Sequence, residues 1–412
     1  MTRFGIEALN VYCGLTYIPV EVLFEGRGLD MSRMANLMMD RRSIGLPFED
    51  PVTNAVNAAW PIVDKLSDAE RSRIDLVVTS TESGVDYSKS VASYVHEQLG
   101  LSRHCRVVEV KQACYAATAA IQLALGYLAS GLGARGKALV IATDVAMVDA
   151  RAEYAEPATG HGAAAILLSD EPRVMQIDLG ASGIYSYEIM DTARPMPGFD
   201  IADVDRSLFA YLDCLSNCFT EYASRVDAAD FQRTFDYLAF HTPFAGLVKA
   251  AHRKMMREFA AAQGPDAIEE DFTRRAGPSL VYPRIVGNLC SGSVYLALCS
   301  VIDTASYAGG ARVGLYVYGS GCSAEFFSGL IGPQSRAVLA GMRIGERLAG
   351  RCELTFDEYN QIVKENQRIL VPEERWDTDI ATYREFADRV PGRPQLLAWR
   401  GQRNFHREYG WI

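Results

Sequence analysis

Residues 106–129 carry the arrangement that most restricts the fold. The apolar strand Arg106–Val110 runs almost directly into a helix of small side chains, with Cys114 at the junction. The helix contains Ala116, Ala117, Ala120, Ile121, Ala124 and Leu125. It is apolar nearly all round and is therefore expected at the centre of a layered protein rather than on its surface. At its start, free N–H groups and the positive end of the helix dipole favour a thiolate. Cys114 is thus a candidate nucleophile, and the competing reading is a cysteine that only fills space.

Periodicity along the rest of the chain alternates strands with helices, the pattern of an α/β protein whose sheets are covered on both faces. Strands are expected at 74–79, 106–110, 138–143, 163–168, 237–240 and 313–318, and helices at 88–99, 114–129, 207–224, 244–259 and 291–304. Residues 287–298 loosely echo 106–129, again with a cysteine and small residues opening a helix. Two similar halves, 1–180 and 181–412, would set these helices side by side about a pseudo-twofold axis. After Ser328 the alternation fades, and 391–412, polar with isolated Trp399, Tyr409 and Trp411, is expected to pack over the surface.

At 412 residues, with 49% hydrophobic and 22% charged residues, the chain reads as a globular protein with a large core and no membrane insertion. Its first residues lack the pattern of a secretory signal, which places it by expectation in the cytoplasm. Nine cysteines at irregular spacings argue for reduced thiols rather than disulfides, and no zinc spacing appears. Cys214 and Cys218, one helical turn apart, read as core. A net charge of −10 disfavours nucleic acid.

Three segments place a reactive group just past an expected strand, where α/β folds collect their sites. They are Cys114, Glu82 in the stretch 79–84, and His241 followed by Pro243 at an expected helix start. A thiol can carry an acyl group, a carboxylate can take a proton, and an imidazole can donate to a developing alkoxide. Together they suggest carbon–carbon bond formation on a thioester, since simple Cys-His hydrolysis does not need the carboxylate. The loop 319–323, Gly-Ser-Gly-Cys-Ser, follows the strand 313–318 and is expected beside Cys114, where backbone N–H groups stabilise a tetrahedral intermediate.

These residues resemble the 3-hydroxy-3-methylglutaryl synthase family of the thiolase superfamily over residues 4 to about 330. The motifs that carry the resemblance are Glu82-Ser-Gly, Glu109-Val-Lys-Gln-Ala-Cys114-Tyr, Glu156-Pro, His241-Thr-Pro-Phe, Gly287-Asn288 and the run from Tyr318 to Phe327. The resemblance implies a five-layered αβαβα thiolase-like fold built from two similar halves, working as a homodimer. It implies that Cys114 takes up acetyl, Glu82 is the general base and acid, and His241 polarises the acceptor ketone. Asn288 would assist at that oxygen, the N–H groups of Cys114 and Ser320 would form the oxyanion hole, and Pro243 and Tyr154 would line the substrate site. No metal is implied.

Within the family the chain looks more like the polyketide β-branching branch, which takes thioesters from acyl carrier proteins. Coenzyme A-dependent relatives place a lysine five residues beyond the histidine, and here that residue is Gly246. The stretches 5–10, 50–54, 252–257 and 409–412 point the same way. After His241, Lys249, Arg253 and Arg257 form a basic stripe at i, i+4 and i+8 that suits acidic carrier proteins, or else a merely solvated face. The expected reaction adds acetyl from a donor carrier protein to the β-ketone of a polyketide on an acceptor carrier protein. Phosphopantetheine arrives with the partner and no cofactor is bound. The alternatives are a coenzyme A-dependent synthase and a catalytically silent scaffold that docks carrier proteins.

Overall fold

The computed structural model describes residues 3–133, 136–145, 147, 150–197, 199–261, 263–390 and 395–412. Nine strands form the main sheet: β1 (Gly5–Tyr12), β2 (Ile74–Ser80), β3 (Arg106–Val110), β4 (Lys137–Asp144), β5 (Gly162–Ser169), β6 (Met175–Ser186), β7 (Tyr237–Phe240), β8 (Ala311–Gly319) and β9 (Ser323–Ile331). Their spatial order is β7-β8-β9-β6-β1-β5-β4-β2-β3. β2 lies parallel to β4, then β4–β5 and β5–β1 run antiparallel. The second half repeats this: β7 is parallel to β8, then β8–β9 and β9–β6 run antiparallel. Within the sheet, β1 and β6 pair antiparallel at Gly5 with Gln176 and Ile6 with Met175.

Helices cover both faces because strands such as β1, β4 and β5 are buried at every position. Helix α1 (Pro51–Val63) packs on β1, β4 and β5, and α2 (Val91–Gln98) on β2 and β3. The central α3 (Ala116–Ala129) packs on β4 and β2. In the second half α4 (Val204–Arg225) packs on β6 and β9, and the central α6 (Ser293–Thr304) on β7 and β8, while α5 (Ala245–Phe259) leads away from β7. α3 and α6 touch through Thr118 Oγ1 and Tyr295 Oη, 2.7 Å apart. The result is the expected five-layered thiolase-like architecture.

All six expected strands are present, and three more, β1, β6 and β9, complete the sheet. Two expectations need correction. Helix α3 is not enclosed all round, since Leu123 is 67% exposed, on a flank shared with Val107 and Val108 of the edge strand β3, both exposed. Beyond Ser328 the chain is regular: helices Pro333–Ala340, Ile344–Ala349, Phe356–Asn366 and Ile380–Arg389 accompany a three-stranded sheet of Arg375–Asp377, Leu397–Arg403 and His406–Trp411. Residues 391–394 of the expected surface tail lie outside the described residues. The rest of that tail is built in rather than laid on. Trp399 is 2% exposed, its backbone N–H donates to the Phe48 carbonyl at 2.8 Å, and Asp50, which caps α1, accepts from Arg407 and Tyr409.

Candidate active site

Cys114 sits in a tight turn, Ala113–Tyr115, that opens α3, with Ala113 at φ 44°. Its counterpart in the second half is the turn Cys290–Gly292 opening α6, with Cys290 at φ 49°. The two turns face each other. Ser291 Oγ reaches Ser80 Oγ at the end of β2, 2.8 Å away, and the side chains of Glu82, Cys114 and Cys290 bring one oxygen and two sulfurs within 4.8 Å of one another. The Cys114 thiol donates to Glu82 Oε1 at 3.2 Å.

This geometry overturns the expectation of a ready thiolate. The hydrogen bond with Cys290 draws the Cys114 thiol down, but burial and the Glu82 carboxylate outweigh it and push the thiol up to about 12. The resting nucleophile is a thiol with its base already in place. A helix N-terminus contributes a fraction of a charge, and an adjacent carboxylate contributes a whole one of the opposite effect.

Glu82 is held from two sides that the sequence did not announce. Asp144, at the end of β4, accepts from Glu82 N at 2.8 Å, Ser83 Oγ at 3.0 Å and Thr81 Oγ1 at 3.2 Å. Burial and the nearby Glu82 push the Asp144 carboxyl well above the usual carboxylate range. Above, Arg194 on the hairpin Thr192–Met196 and Phe199–Ala202 donates to the Glu82 carbonyl at 3.1 Å and to Ser83 Oγ at 3.2 Å while paired with Asp200 at 2.6 Å. Asp144 ends an apolar strand and Arg194 lies in a polar stretch, so neither carries a local signal; only the fold brings them to Glu82.

His241 follows β7 and is 2% exposed. Its backbone N–H donates to the Tyr316 carbonyl at 2.7 Å and its backbone carbonyl accepts from the Tyr211 hydroxyl at 2.8 Å. Burial alone pulls the imidazole down to about 3, so the ring is neutral, and its Nδ1 has no partner among the described residues. His241 stands outside the Glu82–Cys114–Cys290 cluster. It is linked to it through β8, whose last residue, Gly319, lies so close to the nucleophile turn that a Cβ there would sit 2.5 Å from Tyr115 N and 2.6 Å from the Gln112 carbonyl. The loop holding Ser320 therefore abuts the turn holding Cys114, and Asp191 fixes it by accepting from Gly321 N at 3.0 Å and Tyr318 Oη at 2.7 Å.

The remaining candidates separate. Asn288 lies next to the cluster: its Oδ1 accepts from Cys290 N at 3.0 Å and Ser293 Oγ at 2.6 Å. Pro243 is half-buried but precedes α5, whose N-cap is Phe244, so it does not occupy the first helical position. Tyr154 packs away toward the segment 24–33, with Phe24 at 6.0 Å and the Arg33 guanidinium 4.8 Å above its ring. On α5 the apolar face of Val248, Ala251 and Met255 is fully buried as expected. The basic stripe is altered, because Lys249 is neutralised by Glu269 at 2.5 Å. The exposed cationic patch is Arg253 and Arg257, lining a shallow groove with Lys254 and Glu258.

Comparison with known proteins agrees with this geometry. Residues 4–172 match the family model for the N-terminal part of hydroxymethylglutaryl-coenzyme A synthase, and residues 265–378 the model for its C-terminal part. The chain belongs to the hydroxymethylglutaryl-coenzyme A synthase family. Over 421 aligned positions covering 100% of both chains, it is 44% identical to the polyketide biosynthesis 3-hydroxy-3-methylglutaryl-ACP synthase PksG of Bacillus subtilis (strain 168). It is also similar to the hydroxymethylglutaryl-CoA synthase of Enterococcus faecalis, at 32% identity over 88% of this chain and 91% of that one. Among solved structures, the HMG synthase of the curacin biosynthetic pathway in complex with holo donor-ACP superposes with a TM-score of 0.96 at 44% identity, covering 100% of each chain.

One close approach within the family member bears on its donor. At Gly246 a Cβ would fall 1.8 Å from the Asn36 carbonyl. The position is filled by backbone, so no side chain fits there without moving α5 or the segment around Asn36.

Proposed function

We propose that the protein is a hydroxymethylglutaryl-acyl carrier protein synthase acting in polyketide β-branching. The Cys114 thiol, hydrogen-bonded to Glu82 Oε1 at 3.2 Å, is the observation that carries this reading, because it is the arrangement acyl uptake followed by proton abstraction requires. Full-length similarity to a 3-hydroxy-3-methylglutaryl-ACP synthase, the likeness to a synthase bound to donor-ACP and the closed position at Gly246 support a carrier protein over coenzyme A.

The sulfur of Cys114 attacks the acetyl thioester carbonyl while its proton passes to Glu82, and the departing pantetheine thiolate takes that proton. Glu82, again a carboxylate, removes a methyl proton from acetyl-Cys114. The resulting enolate carbon bonds to the β-ketone of the acceptor chain. His241, neutral by burial, donates a hydrogen bond to the ketone oxygen as it becomes an alkoxide, with Asn288 assisting, and the alkoxide is protonated by Glu82. Backbone N–H groups of Cys114 and Ser320 hold the thioester oxygen, and water then releases the carboxymethyl branch and restores the thiol. Pro243, two residues from His241, belongs to the wall of the acyl path, whereas Tyr154, packed against Phe24 and Arg33, does not. Phosphopantetheine enters on the carrier proteins, which dock through Arg253 and Arg257, Lys249 being paired with Glu269.

The active form is a homodimer divided within each chain into halves 1–180 and 181–412. The exposed Val107 and Val108 on the unpaired edge of β3, with Leu123 of α3, support the dimer, since such an edge is normally covered.

Intact-protein mass spectrometry after mixing with acetyl-carrier protein or acetyl-coenzyme A tests the reading. One acetyl group should appear on Cys114 faster from the carrier protein. Equal or faster loading from coenzyme A would return the coenzyme A-dependent reading, and no loading from either would leave the silent scaffold.

A further inference from the structure

The region after Ser328 encloses a second cavity. About 280 Å³ lies between the end of β1, helix α1, the helix Ile344–Ala349 and the residues Val390, Gln395 and Leu396. Arg347 and Arg351, four residues apart, both line it. Arg347 Nη2 donates to Asn10 Oδ1 at 2.5 Å and the Val11 carbonyl at 3.0 Å. Arg351 donates to the carbonyls of Leu348 at 3.1 Å and Ile285 at 2.6 Å. Arg351 is 6% exposed, and Arg347 Nε and Arg351 Nη1 are buried with no acceptor.

Other buried cations in this protein show how unusual that is. Arg42 is paired with Glu156, Arg275 with Asp271, Arg407 with Asp50 and Lys137 with Glu7. Among the described residues no carboxylate pairs with Arg347 or Arg351. The acids nearby are engaged elsewhere: Glu346, at the cavity wall, pairs with Arg343, and Glu49 is bonded to Tyr12 and Leu46 N. Cys13, also in the wall, is pushed up to about 11 by burial and stays a neutral thiol. A buried guanidinium without a counter-charge is costly, and a bound anion removes most of that cost. The lining also includes the apolar side chains of Trp60, Pro61, Leu348 and Leu396.

We propose that this cavity binds a small organic carboxylate, its charged end on Arg347 and Arg351 and its short aliphatic end against Trp60 and Leu396. A bidentate guanidinium matches a carboxylate, and the apolar wall favours an acid with a hydrocarbon tail over inorganic phosphate. The site is separate from Cys114 and stands whether or not the reaction proposed above is the right one.

The test is titration of the full chain with hexanoate, followed by calorimetry and thermal melting, with hexan-1-ol and inorganic phosphate at matched ionic strength as controls. Saturable hexanoate binding and a raised Tm are expected, without either effect from the controls. Arg347→Met should weaken hexanoate by about tenfold or more, and Leu396→Trp, which fills the cavity while leaving both arginines, should abolish binding. Acetyl loading of Cys114 in both variants reports an intact fold, and if Arg347→Met does not fold, Leu396→Trp decides alone. Absence of saturable binding to the unmodified chain, unchanged affinity in the cavity-filled variant, or equal stabilisation by phosphate would each overturn the proposal.

Discussion

Glu82→Gln separates the two uses of one carboxylate. The substitution removes the proton acceptor of Cys114 but also the negative charge that helps hold its thiol up at about 12, so acetyl loading should persist through the directly ionised thiol, with its pH–rate profile moved to lower pH. Condensation, which needs a base for the methyl proton, should fall by roughly 10²–10⁴-fold; normal condensation would remove Glu82 from that role. Cys290→Ala makes the opposite shift, because the Cys290 hydrogen bond is the influence that lowers the thiol. Alkylation of Cys114 by iodoacetamide, followed against pH, should move upward in that variant. His241→Ala should leave acetyl loading intact and slow condensation, and because burial has already taken the ring to about 3, no inflection in the condensation rate near pH 6.5 should come from it.

At the scale of elements, the site is made where the ends of β2, β4 and β8 meet the starts of α3 and α6. β8 approaches the nucleophile turn at Gly319, so Gly319→Ala puts a methyl group 2.5 Å from Tyr115 N. Overpacking of this kind costs about 1–3 kcal/mol. Relief by shifting the turn would carry Cys114 away from Glu82, so acetyl loading measured by mass should fall more than the Tm does. Gly246→Lys addresses the other close approach. A transplanted lysine meets the Asn36 carbonyl at 1.8 Å from its Cβ, and the expected result is a lower Tm with no gain in loading from acetyl-coenzyme A.

For the whole molecule, buried titratable groups set how stability follows pH. Burial pulls His161 and His241 from 6.5 to about 3. The unfolded chain then binds protons that the folded chain refuses, so their contribution is complete above pH 6.5 and is lost progressively as pH falls toward 3. Glu49 and Glu325, pushed up from 4.5 to about 7 by burial, act in the other sense, stabilising below 4.5 and losing that contribution as pH rises to 7. The two sets oppose each other between 4.5 and 6.5, and below 4.5 the histidine contribution continues to fall. Thermal melts of a His161→Gln variant should show a smaller loss of Tm from pH 6.5 to 3.5 than the unmodified chain. The proposed dimer is tested at the same scale: Val108→Arg on the β3 edge should yield monomers by sedimentation.

The local pattern was enough for six strands, the two central helices and the order of Cys114, Glu82 and His241, because period-2 and period-3.6 burial and strand-to-helix junctions are written in neighbouring residues. Gly246 and the stretches 50–54 and 409–412 were marked by the family resemblance rather than by local pattern. Only the tertiary structure showed that Asp50 and Tyr409 touch each other and that Gly246 is closed by Asn36. The state of the Cys114 thiol could not be read locally, since it depends on Cys290 and Glu82, which lie far away in the chain. The strands β1, β6 and β9 and the helical region after Ser328 escaped for the same reason: their burial comes from partners distant in sequence. Covalent neighbours fix which conformations a segment prefers, whereas charge, desolvation and close approach are properties of space, and those decided the chemistry of this site.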